Sequence, residues 1–352
     1  LFSDLSHHVY FETLETLNDA YAPFDPDSDT PPRAALSVEA REAQRQRVFD
    51  CFGWLLERGN FIRLAKAEIN AALDERSHWG LNLKVDFEVF ERLEVYYRGD
   101  TVVQRMRRRV RGAMRKEAVD VPVYQRLVLI FRFRPNRPFS KYLDTDDVYI
   151  KLFKEIPKVD LDMLLPGTQV QMSLTDRAKI ILPTFSGLTI AAAKAFFAFG
   201  PAVGMWGLVG GTLGYGVRSV YGYMNTRQKY QLNLTQSLYF QNIDNNAGVI
   251  YRMVDEAEEQ DTREALLAYF FLWQTASPDG CPPPQLDAAI EAFVDREIRL
   301  PVDFEIADAL EKLARWDLAS SDSHGRWRAV PVGEAVARLT VRWRQTTGGD
   351  AS

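Results

Sequence analysis

The densest cluster of hydrogen-bonding side chains lies in SLYFQNIDNNAGVIYRMVDEAEEQ. There Asn242, Asp244, Asn245 and Asn246 stand close together, with Glu256, Glu258 and Glu259 following. Amides and a carboxylate so spaced could hold a polar substrate, but Asn-Asn-x-Gly also suits a tight turn or a helix cap. No nucleophile–base pair accompanies them, so no catalytic residue is assigned. A second cluster is cationic. Arg105, Arg107, Arg108, Arg109, Arg111, Arg115 and Lys116 place seven cations in twelve residues. A solvated basic loop, contact with anionic lipid headgroups and contact with nucleic-acid phosphate all fit that run. Asp25, Asp27 and Asp29 alternate in DPDSD, but a calcium loop needs a longer set of oxygens with a Gly and a distant Glu, so turn chemistry accounts for them. Four histidines, His7 and His8 adjacent, and two distant cysteines, Cys51 and Cys281, give neither metal-ligand spacing nor a disulfide framework. No metal and no cofactor is implied.

These groups need elements to position them. Residues 1–77 read as helical, with a Pro- and Asp-rich loop after residue 21 and an apolar helical face from Val48 to Ile69. In 78–172 the period becomes two: Leu81, Leu83, Val85, Phe87 and Val89, then Leu93, Val95 and Tyr97. Leu127, Leu129, Phe131 and Phe133 form a second run, and Val148 to Phe153 a third. The pattern predicts an antiparallel sheet with one buried face, the arginines lying between two strands. Residues 225–262 read as a polar, partly helical connector. In 263–345 three helices, a hairpin at 318–330 and a last helix from Val332 have a winged-helix-like outline. The acids on those helices, Asp287, Glu291, Asp295, Glu297, Glu305, Asp308 and Glu311, favour a protein partner over DNA. A net charge of −5 likewise sets nucleic acid last.

Residues 173–224 set the expected location. From Ala178 to Val217 the chain runs forty residues in which Lys194 is the only charge beyond Lys179 at the start. One membrane span takes roughly 20 apolar residues, so forty suffice for two, turning at Gly200-Pro201. Buried helices and a shallow interfacial hairpin are the alternatives. Arg177 and Lys179 before the stretch, and Arg218, Arg227 and Lys229 after it, predict both ends on the cytoplasmic side. Lys194, near the far end, can snorkel. Gly200/Gly204, Gly207/Gly211 and Gly210/Gly214 form three GxxxG pairs that let helices approach closely, within one hairpin or between chains of a homo-oligomer. Leu1 rather than Met leaves a preceding targeting segment open.

VYYRGD, DVYIKLFKEIPKVDLDMLLPGTQVQMSLTDRAKIILPTFSGL and SLYFQNIDNNAGVIYRMVDEAEEQDTREALLAYFFL resemble a membrane-protein family of unknown function. It includes the transmembrane protein 143 type, with animal mitochondrial, plant and bacterial relatives. The resemblance spans roughly residues 14–339 and implies a two-span membrane protein with no established activity. The expectation is therefore an α+β protein with a transmembrane helical hairpin, an antiparallel sheet and a C-terminal winged-helix-like domain. It would lie in a bacterial inner membrane or, alternatively, an organelle membrane, with the lipid bilayer and a protein as partners. Three functions follow: a membrane-anchored scaffold or adaptor, a membrane-associated enzyme or lipid-handling protein, and a membrane-tethered nucleic-acid binder.

Overall fold

The structure, a computed structural model, describes residues 1–29, 37–65, 67–69, 82–108, 116–135, 144–166, 169–171, 240–275, 280–299 and 302–346. In chain order these form α1 (Phe2–Tyr21), α2 (Val38–Arg58), β1 (Ile62–Arg63), β2 (Asn82–Lys84), β3 (Phe90–Arg108), β4 (Lys116–Phe133), β5 (Tyr149–Pro157), β6 (Gln169–Gln171) and β7 (Asn242–Asn245). Then come α3 (Ala247–Thr275), α4 (Pro283–Ile298), α5 (Ile306–Arg315), β8 (Ala319–Ser321), β9 (Trp327–Ala329) and α6 (Val332–Thr346). The chain divides into two compact units, one of residues 1–62 and 246–352, the other of residues 63–245.

The first unit is helical. Ser37 caps α2, its hydroxyl accepting the Ala40 N–H at 3.2 Å. Asn246, in the left-handed region at φ 51°, begins α3. Val249, Ile250, Met253, Val254, Ala257, Ala265, Ala268 and Leu272 bury one face of that helix at helical spacing. Its exposed face runs from Arg252, Asp255, Glu259 and Arg263 to Leu266, Phe270 and Trp273. The polar connector and the helix expected after it are thus one 29-residue element. Pro283 starts α4 where a missing N–H costs nothing. Cys281 and Trp327 exchange backbone hydrogen bonds at 2.9 Å, adding a bridge to the β8–β9 hairpin. Helix, bridge, helix, helix and hairpin follow one another here, and Leu272, Leu286, Ile290, Leu310 and Leu313 share their core.

The second unit is a five-stranded sheet of order β1-β3-β4-β5-β7, with β2 and β6 paired separately. The register is antiparallel from β3 through β7. Leu127, Leu129, Phe131 and Phe133 point into a core with Phe90, Val95 and Phe153. Val128 and Ile130 on the other face are buried as well. The single buried face expected from the alternation is therefore exceeded, because LVLIF is a continuous apolar run of the kind that strands covered on both faces carry. The alternation from Leu81 to Val89 is not one strand. β2 is three residues long, and Asp86 then accepts the Glu88 N–H at 3.1 Å, closing a 3₁₀ turn over Phe87–Val89.

The transmembrane hairpin is corrected. Among the described residues no helix is long and apolar enough to cross a membrane. The longest, α3, carries Arg252, Asp255, Glu256, Glu258, Glu259, Asp261, Arg263 and Glu264 within its length, the composition of a half-buried amphipathic helix. The stretch from Ala178 to Val217, with Lys194, Gly200, Gly204, Gly207, Gly210, Gly211 and Gly214, lies outside the described residues. The architecture supported is α+β, an antiparallel sheet with helices. The integral-membrane assignment and the two-span location are set aside. With them go the membrane-anchored scaffold, the membrane-associated enzyme or lipid handler and the membrane-tethered nucleic-acid binder.

Candidate functional site

A cleft of about 500 Å³ opens in the sheet unit beside the start of β3. A break in strand register shapes it. Phe90 lies opposite Phe133 and Arg92 opposite Arg132, so Glu91 is one residue too many. Such a β-bulge bends its strand and re-aims the side chains beside it. Ile69, Phe87, Phe90 and Leu93 give the cleft its apolar surface, while Arg63, Glu91, Arg92 and Glu94 supply charge. Phe90 is fixed by ring contacts with Phe131 and Phe133, at 5.7 and 5.8 Å between centroids.

Glu94 organises the polar wall. Its side chain is 4 % exposed, and burying a lone carboxylate would be costly. One oxygen, Oε1, accepts from Arg92 Nε at 2.9 Å, Arg92 Nη2 at 2.8 Å and Arg63 Nη2 at 3.0 Å. The other accepts from the Tyr96 hydroxyl at 2.8 Å. Two guanidinium groups are thus turned toward one point in the cleft wall by a buried anion. Glu91 is paired with Arg132 at 3.0 Å, and Arg132 Nε also donates to the Thr145 carbonyl at 2.9 Å. The Arg63 side chain is 57 % exposed, and its guanidinium carries five N–H donors.

The helical unit holds the other charged cluster. Lys312 on α5 is buried, and its ammonium reaches Asp261 at 2.7 Å, Glu264 at 3.1 Å and Asp308 at 2.6 Å. The Tyr10 hydroxyl donates to Asp261 at 2.5 Å. Arg58 donates to Asp308 at 2.9 Å, and Asn60 and Gln260 to Glu264 at 2.9 and 2.7 Å. Oxygens of Asp261, Glu264 and Asp308 lie within 4.8 Å of one another, close enough to ligate a metal. Lys312 already sits among them, one N–H for each carboxylate. Burial alone would lower the Lys312 pKa, but its hydrogen bonds to Asp261 and Asp308 and the charges of Asp261 and Glu264 outweigh that and raise it. A locked ammonium is no base and no nucleophile, so the cluster is structural. Burial also pushes up both thiols, of Cys51 and of Cys281, leaving neither an activated nucleophile.

The residues singled out in the sequence are dispersed. Asn242, Asp244 and Asn245 form edge strand β7, where Asn245 Oδ1 accepts from Lys151 at 3.1 Å and from Asn242 at 3.2 Å. Asn246 begins α3 and donates to Asp27 at 2.6 Å, while Asp27 N–H in turn binds Asp25 at 3.1 Å. The amide cluster is a strand-to-helix junction in these contacts. Arg105, Arg107 and Arg108 lie within β3, opposite Val119, Glu117 and Lys116. Arg109, Arg111 and Arg115 lie outside the described residues. On α5 the exposed residues are Ala307, Glu311, Ala314 and Arg315, with Arg315 paired to Glu311 at 3.3 Å. Arg63, Glu94 and Lys312 were not anticipated. The available signal was Arg92-x-Glu94-x-Tyr96, three polar groups on one face of a strand.

No solved structure matches the chain. Over residues 90–248, which take in the sheet from β3 to β7, the chain is similar to an uncharacterised family described as "Protein of unknown function (DUF3754)", a match that carries neither a membrane assignment nor a link to the transmembrane protein 143 type.

Proposed function

We propose that the protein binds a small amphipathic anion in the cleft beside β3. A carboxylate or phosphate head sits against Arg63 and Arg92, and an apolar body lies over Ile69, Phe87, Phe90 and Leu93. The observation that carries this reading is the convergence of both guanidinium groups on one oxygen of buried Glu94, in the wall of an apolar cleft. Donors already held in place lose little freedom when a ligand arrives, and planar guanidinium suits planar oxyanions. The cleft has the volume of an ordinary small-molecule site, and its mixture of apolar surface with few polar groups is the usual one. The narrower likeness to the transmembrane protein 143 type rests on the quoted motifs and adds no activity.

Calorimetric titration with 4-phenylbutanoate and 4-phenylbutan-1-ol separates head from body. A charge-assisted hydrogen bond contributes about 1.5–3 kcal/mol, so the acid is expected to bind roughly 10- to 100-fold tighter than the alcohol. Arg63→Gln is expected to remove most of that difference. Equal affinity for the two, or no binding of the acid, contradicts the proposal.

A further inference from the structure

Glu91, the extra residue of the bulge, also lines the cleft. In a regular strand adjacent side chains point to opposite faces, so the sheet would separate Glu91 from Arg92. The bulge removes that separation. Arg92 is registered on Arg132, and directly opposed residues share a face. Glu91 reaches the same Arg132 through Oε2 at 3.0 Å. An anion and a cation adjacent in the chain therefore stand on one face. The two carboxylates of the cleft differ in what they can still do. Glu94 is buried and satisfied by Arg63, Arg92 and the Tyr96 hydroxyl. The Glu91 side chain is 41 % exposed, and a carboxylate can accept from several donors at once. The wall thus presents an accessible carboxylate beside two guanidinium groups, with the apolar surface of Phe87 and Leu93 next to them.

Building on the anion-binding reading of this cleft, we infer that its ligand is an apolar α-amino acid. The carboxylate lies against Arg63 and Arg92, the ammonium against Glu91, and the side chain over the apolar surface. An exposed carboxylate beside an anion site repels a plain acid; it favours only a ligand that brings a cation as well. An α-amino acid carries both charges at neutral pH, on groups attached to one carbon. That short spacing matches opposite charges on adjacent residues of one face. Both contacts are charge-assisted hydrogen bonds, the stronger kind.

Calorimetry on the full chain compares 4-phenylbutanoate with L-2-amino-4-phenylbutanoate, which differs from it only by the ammonium. The amino acid is expected to bind about 10-fold tighter, the lower end for a charge-assisted bond because Glu91 is part-exposed. Its N-acetyl derivative, which keeps the carboxylate and the body without the cation, should lose that gain. So should 3-phenylpropan-1-amine, which lacks the carboxylate. Glu91→Gln is expected to make the affinities for the acid and the amino acid equal. Arg132 retains the Thr145 carbonyl in that variant, and its melting temperature should hold. If the variant melts early, the N-acetyl comparison on the wild type decides. Binding of the acid with no gain from the ammonium overturns this ligand class and leaves the anion site standing. A gain that survives Glu91→Gln in a folded variant, or that the N-acetyl derivative shares, overturns the role of Glu91. Failure of both the acid and the amino acid to bind overturns the anion site and the ligand class together.

Discussion

Lys312 holds three carboxylates together that would otherwise repel one another in a buried place. Glu94 plays the converse part, one carboxylate gathering two guanidinium groups. The difference lies in what surrounds them. Tyr10, Arg58, Asn60 and Gln260 close the lysine cluster with further hydrogen bonds, whereas Arg63 beside Glu94 stays half open to water. Removing one partner of a buried charged group leaves the other uncompensated, at about 3–5 kcal/mol. Lys312→Ala is therefore expected to lower unfolding stability by about 3–5 kcal/mol in urea melts. Millimolar calcium should restore part of the loss in the variant and leave the wild type unmoved, since it is the ammonium that occupies the cation position. A loss below about 1 kcal/mol, the range of exposed pairs, would show that the cluster holds nothing together. Neither site could be read from spacing alone. Asp261 and Glu264 lie on α3 and Lys312 on α5, and Arg63 is 31 residues from Glu94, so only the folded chain brings them together.

The elements were legible where packing follows a simple period. Leu127, Leu129, Phe131 and Phe133 share one buried face of β4 as their alternation displays, although Val128 and Ile130 are buried on the other. The reading failed where backbone geometry decides. The alternation from Leu81 to Val89 has the right residues for one strand, but the Asp86 side chain diverts the backbone into a turn. The arginines after residue 104 lack an apolar alternation and read as a loop, yet the cross-strand ladder carries β3 on to Arg108. Backbone hydrogen bonds do not depend on side-chain type, so a ribbon can extend past its apolar face. Gly99 lies before that extension at φ 73°, while Arg98 and Asp100 are registered on Arg126 and Tyr124. A Cβ there would lie 2.4 Å from the Gln125 side-chain oxygen, which can swing away, so the backbone conformation sets the cost. Gly99→Ala is expected to cost about 1–2 kcal/mol in chemical unfolding, the penalty of a left-handed conformation for an L side chain. A neutral substitution would mean that the strand relaxes at this point without loss.

At the scale of the whole chain, a net charge of −5 argued against polyanions, and it conceals a sheet unit of +9, with 27 Lys and Arg against 18 Asp and Glu, and a helical unit of −14, with 16 against 30. Composition sums over units that the sequence does not delimit, because the helical unit is assembled from both ends of the chain. The apolar stretch from Ala178 to Val217 dominated the sequence for a related reason: length and missing charge are visible without a fold, whereas a cleft built by a bulge and a buried carboxylate is not. The longest described helix, α3, is amphipathic, and the proposed cleft lies in the sheet unit. The most direct check is methyl NMR of the full chain titrated with 4-phenylbutanoate. Binding in the cleft predicts shifts at Ile69 and Leu93, with Ile250 and Ile290 of the helical unit unmoved. Shifts at Ile250 or Ile290 without movement of Ile69 and Leu93 would contradict it.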